Sequence, residues 1–181
     1  EAISSTTDDS LYSLSREDLH VLIGFSDACF ECVDEDVLHA NLRDFGTKIG
    51  MEFILYAYQK TDYSRKQSVR LVNVSNPVEW MAEYAKSSYI ENDPVRNELE
   101  RRLAKGKHID AFVWDRYDCD LSPIEQDVIS RRCHYGLQYG CSAYCNSPRH
   151  HAIFLISFAS RTNPVDERVI AFSRKMVSSL N

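Results

Sequence analysis

Two kinds of hydrophobic spacing alternate along the chain and predict helices and strands in turn. Apolar residues at helical spacing predict a first helix in REDLHVLIGFSDACFECV, capped by Ser15, and a second helix over residues 35–49. Two strands follow, MEFILYAYQ and QSVRLVNV, joined by the polar turn KTDYSRK. Further helices are predicted over residues 77–88 and, beginning at Asp93 and the proline after it, through VRNELERRLAKGK.

The second half of the chain predicts a strand, a helix, a hairpin and a last helix. IDAFVW is a short strand, and SPIEQDVISRRCHYG is a helix with Ser122 as its cap. LQYGCSAYC and HAIFLISFAS form a hairpin across NSPRH, and residues 165–180 carry an apolar helical stripe. This order predicts an α/β (α+β) fold, an α-β-α sandwich with a central, mostly antiparallel five-stranded sheet and helices on both faces.

Composition bounds the class of protein. The chain has 181 residues, 44% of them hydrophobic and 27% charged, which is typical of one globular domain. No repeat or linker divides it, so a single ligand-binding domain is predicted over residues 1–181, with a flexible polar start over 1–14. The net charge of -6 argues against a nucleic-acid surface. No apolar run approaches the roughly 20 residues of a membrane span, so no membrane partner is expected.

The cysteines predict neither a metal site nor disulfides. Cys29 and Cys32 have C-x-x-C spacing, but no second such pair or histidine pair follows at zinc-site distance. They lie in a helical pattern, where a free cysteine behaves as a small hydrophobic residue. Reduced thiols place the protein in the cytoplasm. The six cysteines are Cys29, Cys32, Cys119, Cys133, Cys141 and Cys145.

Catalytic arrangements are missing from the sequence. Cys133 and His134 are adjacent and cannot face each other on a helix. His150 and His151 lie in a predicted turn, and no glycine-rich phosphate loop occurs. The chain is therefore predicted not to be an enzyme and to need no cofactor.

The stretch NPVEWMAEYAKSSYIENDPV combines an aromatic helix with an acidic residue. Trp80 and Tyr84 are i, i+4 neighbours, about 5–6 Å apart on one helix face. Their N–H and O–H groups need partners if they are buried, and Asp93 offers an acceptor nearby. This trio suits a small ligand that carries carbonyls and an amide N–H. It equally suits two core aromatic residues and an aspartate that caps the next helix, and spacing alone leaves both interpretations open.

A wider pattern favours the ligand. The order W-x3-Y-x8-D-P, then FVWD with Trp114, then GLQYG before an apolar strand, resembles the autoinducer-binding domain of LuxR-type quorum-sensing transcriptional regulators. The resemblance covers about residues 20–180, and that family's domain is an antiparallel sheet between helices. It implies a receptor for an N-acyl-homoserine lactone that completes the core and promotes folding and dimerisation. It also implies a homodimer and DNA binding only through a helix-turn-helix domain, which this sequence does not contain.

The resemblance implies roles for individual residues. Trp80 donates to the lactone carbonyl, and Asp93 accepts from the ligand's amide N–H. Tyr84, helped by Ser157, bonds the acyl carbonyl, and Trp114 packs against the lactone ring. Gly136 and Gly140 match family glycines around the fourth strand. Candidates for the acyl tunnel are Leu55, Ala57, Val95, Ile153 and Leu155.

Several departures from the family leave the ligand's chain length and substitution open. Asn76 stands where the family often has a tyrosine before the proline, and the stretch between Asp93 and Trp114 is longer than usual. Arg70 faces either the tunnel, where it favours an oxo-substituted chain, or solvent. The alternative function is a receptor of the same fold, or a PAS- or GAF-like sensor, for a non-lactone small-molecule signal.

Overall fold

A single antiparallel sheet organises this computed structural model, which describes residues 14–61, 67–87, 89–114, 120–147 and 151–179. Its five strands lie in the order β2-β1-β5-β4-β3, with every neighbouring pair antiparallel. The strands are β1 (Phe53–Thr61), β2 (Gln67–Asn73), β3 (Ile109–Val113), β4 (Tyr139–Ser147) and β5 (Ala152–Ser160). The predicted five-stranded antiparallel sheet is confirmed.

Helices cover both faces of the sheet, as predicted. One face packs against α1, α2 and α6, and the other lies under α3, α4, α5 and a short 3-10 helix. The helices are α1 (Arg16–Phe30), α2 (Glu35–Ile49), α3 (Val78–Lys86), the 3-10 helix (Tyr89–Glu91), α4 (Pro94–Ala104), α5 (Pro123–His134) and α6 (Glu167–Ser179).

Local capping explains where the first helices begin and end. The Ser15 hydroxyl accepts from the Asp18 N–H at 3.1 Å, and the Asp18 carboxylate accepts from the Ser15 N–H at 2.9 Å. Helix α1 ends at Phe30, three residues before the predicted end. Residues 31–33 separate the two helices, and Asp34 then caps α2, with its carboxylate accepting from the Val37 N–H at 2.8 Å. A capping residue needs extended backbone, so α1 and α2 cannot form one continuous helix.

Alternation along β5 separates two cores. Ile156 and Phe158 are buried in the core beneath α1, α2 and α6. Ile153 and Leu155 point to the opposite face and pack against the second core, which contains Trp80 of α3. The first face is filled by side chains, whereas the second contains the cavity described below. The apolar character of both faces is what the continuous run AIFLISF predicted.

An ionic network built on two buried carboxylates lies at the β3 edge of the sheet. The carboxylate of Asp110 accepts from Arg102 of α4, from Lys107 at 3.0 Å and from Arg174 of α6 at 3.1 Å. Glu98 of α4 is buried and pairs with Arg102 as well. Burial raises the pKa of Asp110, but the bond from Lys107 and the Arg102 charge outweigh it and hold this pKa below its ordinary value. The network joins a helix of the cavity face to a helix of the opposite face.

Other expectations have these outcomes. Residues 1–13 of the predicted flexible start lie outside the described ranges, and Leu14 is buried in the first core. Five of the cysteines are free thiols, and Cys119 lies outside the described residues. The described part of the chain holds no cluster of metal-ligating side chains. None of its helices combines the length and apolar character needed to cross a bilayer.

Candidate ligand-binding site

A cavity of about 370 Å³ lies between the second face of the sheet and helices α3, α4 and α5. Its volume falls in the range of small-molecule sites. The fold brings together every residue predicted for the ligand site. They are Trp80, Tyr84, Asp93, Trp114, Ser157, Leu55, Ala57, Val95, Ile153 and Leu155.

One end of the cavity is polar and is built from α3 and the start of α4. The Tyr84 hydroxyl donates to Asp93 Oδ2 at 2.7 Å, and the Val95 N–H donates to Asp93 Oδ1 at 2.8 Å. Asp93 therefore caps α4 and also lines the cavity, so the capping role does not exclude a ligand contact. The rings of Trp80 and Tyr84 have centroids 5.4 Å apart, as helical spacing predicted.

Trp80 presents an unused donor at this end. The residue is only 5% exposed and lines the cavity. The hydrogen bonds of the described residues include none from its indole N–H, and this nitrogen is not among the fully buried side-chain atoms that lack a partner. A donor that faces a cavity and has no protein acceptor can be satisfied by a ligand or by water. This N–H is therefore ready to bind an acceptor on a molecule in the cavity.

The pKa of Asp93 is raised above the ordinary aspartate value. Burial is the main cause, since it penalises the charged carboxylate. The hydrogen bonds from Tyr84 and from the Val95 N–H oppose this effect, as do the positive charges of Arg132 and Arg96. The opposing interactions offset only part of the burial penalty. A further donor from a ligand would stabilise the charged form.

Trp114 is held by a chain of hydroxyl groups that the sequence did not reveal. Its indole N–H donates to Ser142 Oγ at 2.8 Å, and Ser142 Oγ lies 2.8 Å from Ser157 Oγ. Ser142 is fully buried, directly opposite Ser157 in the pairing of β4 with β5. The chain fixes Trp114 and Ser157 relative to each other at the cavity wall.

Gly140 makes room for the Trp114 ring. A Cβ atom at position 140 would lie 2.3 Å from Trp114 Cε3, far inside van der Waals contact. The Trp114 backbone N–H also donates to the Gly140 carbonyl at 2.9 Å. Gly136 has a different reason, because its φ of +93° lies in the left-handed region that favours glycine. Of the two glycines matched by the resemblance, Gly140 allows the close approach of the Trp114 ring and Gly136 forms the turn that ends α5.

Arg132 of α5 is a cavity residue that sequence reasoning missed. It is 6% exposed, and its guanidinium carbon lies 4.5 Å from the centroid of the Trp114 ring. As one of several basic residues in the last turn of a helix, it gave no signal beyond a favourable helix-end charge. Only the packing of α5 against the sheet places this cation at the polar end.

The rest of the cavity wall is mostly apolar and reaches the surface. Leu55, Ala57, Ile153 and Leu155 supply the sheet side of its wall. Val69 and Leu71 of the edge strand β2 also line it, although they are 52% and 37% exposed. The cavity thus opens beside β2. An elongated ligand would place its polar head near Trp80 and its apolar tail toward this opening.

The structure decides the departures noted in the sequence. Arg70 is exposed and donates to Glu35 of α2 at 3.2 Å, so it faces away from the cavity. Asn76 lines the cavity in the place of the expected tyrosine. The long stretch after Asp93 forms α4 and a short loop, and Leu103 from it joins the apolar wall.

The chain belongs to the autoinducer-binding domain family. The family model, described as the autoinducer binding domain, matches residues 34–180, which is most of the sequence. This confirms the resemblance drawn from Trp80, Tyr84, Asp93 and Trp114. The family is a ligand-binding regulatory one. No curated protein sequence matches the chain.

Solved structures share the fold. The chain is similar to the N-acylhomoserine lactone dependent LuxR family transcription factor CepR2 from Burkholderia cenocepacia, with 20% identity, a TM-score of 0.67 and 90% of both chains covered. It is also similar to SdiA in complex with octanoyl-rac-glycerol, with 14% identity and a TM-score of 0.64. That match covers 94% of this chain and 66% of the SdiA chain. The solution structure of residues 1–171 of E. coli SdiA gives 17% identity, a TM-score of 0.62 and 96% of both chains.

Proposed function

We propose that the chain binds an N-acyl-homoserine lactone in this cavity, as the ligand-binding domain of a quorum-sensing transcriptional regulator. The observation that carries the proposal is the pairing, at one end of an otherwise apolar cavity, of the unused Trp80 donor with the Asp93 acceptor. A lactone carbonyl complements the first group, and an amide N–H complements the second. An acyl chain complements the apolar walls.

The hydrogen bonds among Trp114, Ser142 and Ser157 indicate which residue donates to the acyl carbonyl of the ligand. The single proton of Tyr84 is already donated to Asp93, so Tyr84 cannot also donate to the ligand without releasing that bond. Ser157 is the better donor. If Ser142 accepts from Trp114 and donates to Ser157, the Ser157 proton is available for the carbonyl. Connected hydrogen bonds polarise one another, which strengthens the bond from Ser157 to the ligand carbonyl.

Burial of the acyl chain supplies much of the binding free energy. Each methylene contributes about 0.8 kcal/mol, so eight contribute roughly 6 kcal/mol before association costs. A ligand that binds only the folded protein stabilises it by about 2.7 kcal/mol at a hundredfold excess over its Kd. We therefore expect the ligand to complete the second core and to promote folding.

The first test is thermal melting of the chain with N-acyl-homoserine lactones of different chain lengths and 3-position oxidation. We expect one class of chain to raise Tm by several degrees, because about 2–3 kcal/mol of linkage corresponds to such a shift in a domain of this size. Asp93→Asn and Trp80→Phe should each reduce the rise. Asp93→Asn keeps the side-chain shape and removes the charge of the acceptor, and Trp80→Phe keeps an aromatic ring and removes the indole N–H.

The control for this experiment is Arg70→Ala, which changes an exposed residue on the opposite face of the sheet. It should leave the ligand-induced rise intact. Octanoyl-rac-glycerol belongs in the panel because it has an acyl chain but no amide N–H. If the protein melts cooperatively and the glycerol ester raises Tm while no lactone does, the ligand is a non-lactone acyl compound.

Ligand affinity should depend on the charge of Asp93. As the pH falls through the raised pKa of Asp93, the carboxyl gains a proton and becomes a weaker acceptor, so Kd for the lactone should rise. For the empty protein the sign is opposite. A folded pKa above the unfolded value favours folding at low pH, and this contribution is lost as the pH rises through the folded pKa.

Calorimetric titration across this pH range provides the measurement. Asp93→Asn has no titrating group at this position, so its weaker affinity should stay flat. If the wild-type Kd does not change with pH and Asp93→Asn binds equally well, Asp93 does not contact the ligand.

Membership of the family also supports further parts of the proposal. The domain acts as a homodimer in the cytoplasm, and DNA is bound through a helix-turn-helix domain rather than through the residues described above. Size-exclusion chromatography with light scattering, with and without the lactone, measures the oligomeric state.

A further inference from the structure

The sheet side of the cavity wall consists of successive rows of side chains. Each row pairs a residue of β1 with the residue directly opposite it on β5, and alternate residues of each strand face the cavity. From the polar end outward, the inner, middle and outer rows are Leu55 with Ser157, Ala57 with Leu155, and Gln59 with Ile153. All of these side chains line the cavity, so the rows follow its length.

The rows measure distance from the polar end. Successive rows are two residues apart, which is about 6.8 Å along an antiparallel strand. Ser157, the proposed donor to the acyl carbonyl, belongs to the inner row, so the outer row lies about 13–14 Å from that carbonyl. An extended alkyl chain advances by about 1.25 Å per carbon–carbon bond of about 1.5 Å. A chain of about ten to twelve carbons is therefore needed to reach the outer row.

Helix α4 forms the opposite wall with a similar spacing. Its cavity-lining residues at intervals of four are Val95, Leu99 and Leu103. Each interval is about 6 Å along a helix, so this apolar stripe extends for about 12 Å. The helix begins at the polar end, next to Asp93. The segment after it passes the middle row, because the Tyr144 hydroxyl donates to the Lys107 carbonyl at 3.2 Å and Tyr144 lies opposite Leu155. Both walls therefore run outward from the polar end.

Ala57 is the small residue of the middle row. Leucines flank it on both neighbouring strands, Leu71 on β2 and Leu155 on β5. A larger side chain at position 57 would project between them into the space that leads to the outer row. Alanine is depleted in strands, so folding alone would favour a β-branched residue at this half-buried position. Passage of a ligand chain gives alanine a reason here.

We propose that the cavity selects N-acyl-homoserine lactones with long acyl chains, of about ten to twelve carbons, and that Ala57 is a specificity-determining residue for chain length. This inference rests on the proposed function, because it places the acyl carbonyl beside Ser157. A chain of about four carbons would end before the middle row and leave the outer wall without contacts. A chain longer than about twelve carbons would pass the outer row, where the cavity opens beside β2.

The wild-type protein provides the first test. Kd is measured by calorimetric titration for unsubstituted lactones with acyl chains of about four to fourteen carbons. We expect Kd to fall by up to about fourfold for each added methylene and to level off near about twelve carbons. A Kd that stops falling at about six carbons would overturn the proposal, whether or not any variant folds. Failure of every lactone to bind would instead count against the proposed function itself.

Substitutions of Ala57 should move the limit on chain length. In Ala57→Leu the middle row is closed, so Kd for a chain of about twelve carbons should rise by at least about thirtyfold. Kd for a chain of about six carbons should change by less than about threefold, because such a chain ends near the middle row. Ala57→Val adds less volume and suits a strand, so it should act in the same direction with a smaller effect.

Ser68→Leu is the matched control. Ser68 is an exposed residue of β2 that does not line the cavity, and the change adds a leucine side chain to the same sheet. Its dependence of Kd on chain length should equal that of wild type. If the Ala57 variants weaken all chain lengths equally, Ala57 supports the fold rather than the passage of the chain, and the proposal is overturned.

Discussion

Replacing Asp110 with alanine is expected to lower the free energy of unfolding by about 3 kcal/mol, because it removes a buried carboxylate that is shared by the partly buried cations Arg102 and Arg174. Asp110 is 6% exposed and accepts from Arg102, Lys107 and Arg174. Arg102 belongs to α4 and Arg174 to α6, so the loss also loosens the sheet edge to which both helices are joined. Urea unfolding followed by circular dichroism measures the change.

The matched control is Asp44→Ala. Asp44 pairs with Lys48 at 2.7 Å, but both side chains are more than half exposed, so the pair contributes about 0.5 kcal/mol or less. The two variants remove the same carboxylate group from different surroundings. If Asp110→Ala unfolds at the same urea concentration as Asp44→Ala, burial of the network does not stabilise the fold.

Gly140→Ala is expected to abolish most of the ligand-induced rise in Tm and to destabilise the empty protein by about 1–3 kcal/mol. The added methyl group would lie 2.3 Å from Trp114 Cε3, so the ring must move. Its movement would break the N–H bond to Ser142 and shift the surface on which Arg132 stacks. Differential scanning fluorimetry with and without the lactone measures both effects.

A second glycine provides a control, in which the change in the free energy of unfolding has the opposite sign. Gly24 is an exposed residue within α1, and a Cβ there would meet nothing within 4 Å. Gly24→Ala should stabilise the protein by about 0.5–1 kcal/mol, since alanine is the better helix former, and should leave ligand binding unchanged. Normal melting and normal ligand response in Gly140→Ala would show that Trp114 can move without loss of the site.

Local chemistry made much of the fold predictable. Caps such as Ser15 and Ser122, and the switch between helical and alternating spacing, depend on residues within a few positions of one another. The helix that carries Trp80 and Tyr84 was predictable for the same reason. Helix ends were less predictable, because α1 stops at Phe30, four residues before Asp34 caps the next helix.

The register between β4 and β5 could not be predicted from neighbouring residues in the sequence. A loop at residues 146–150 would set position 139 opposite Ser157, whereas the observed pairing sets Ser142 there. β4 continues to Ser147, so two polar residues that were predicted to belong to the loop, Asn146 and Ser147, are part of the strand. The hydroxyl chain that supports Trp114 follows from this register, so the sequence alone did not reveal it.

The sequence by itself determined the family and the order of elements. It also identified residues that line the cavity, because Trp80, Tyr84 and Asp93 are close in the chain and their spacing is a local property. Only the tertiary structure decided that Arg132 stacks on Trp114, that Ser142 bonds Ser157 and that Asp110 joins α4 to α6. These contacts join residues between 8 and 64 positions apart. Such pairs meet only after the sheet has formed and the helices have packed on it.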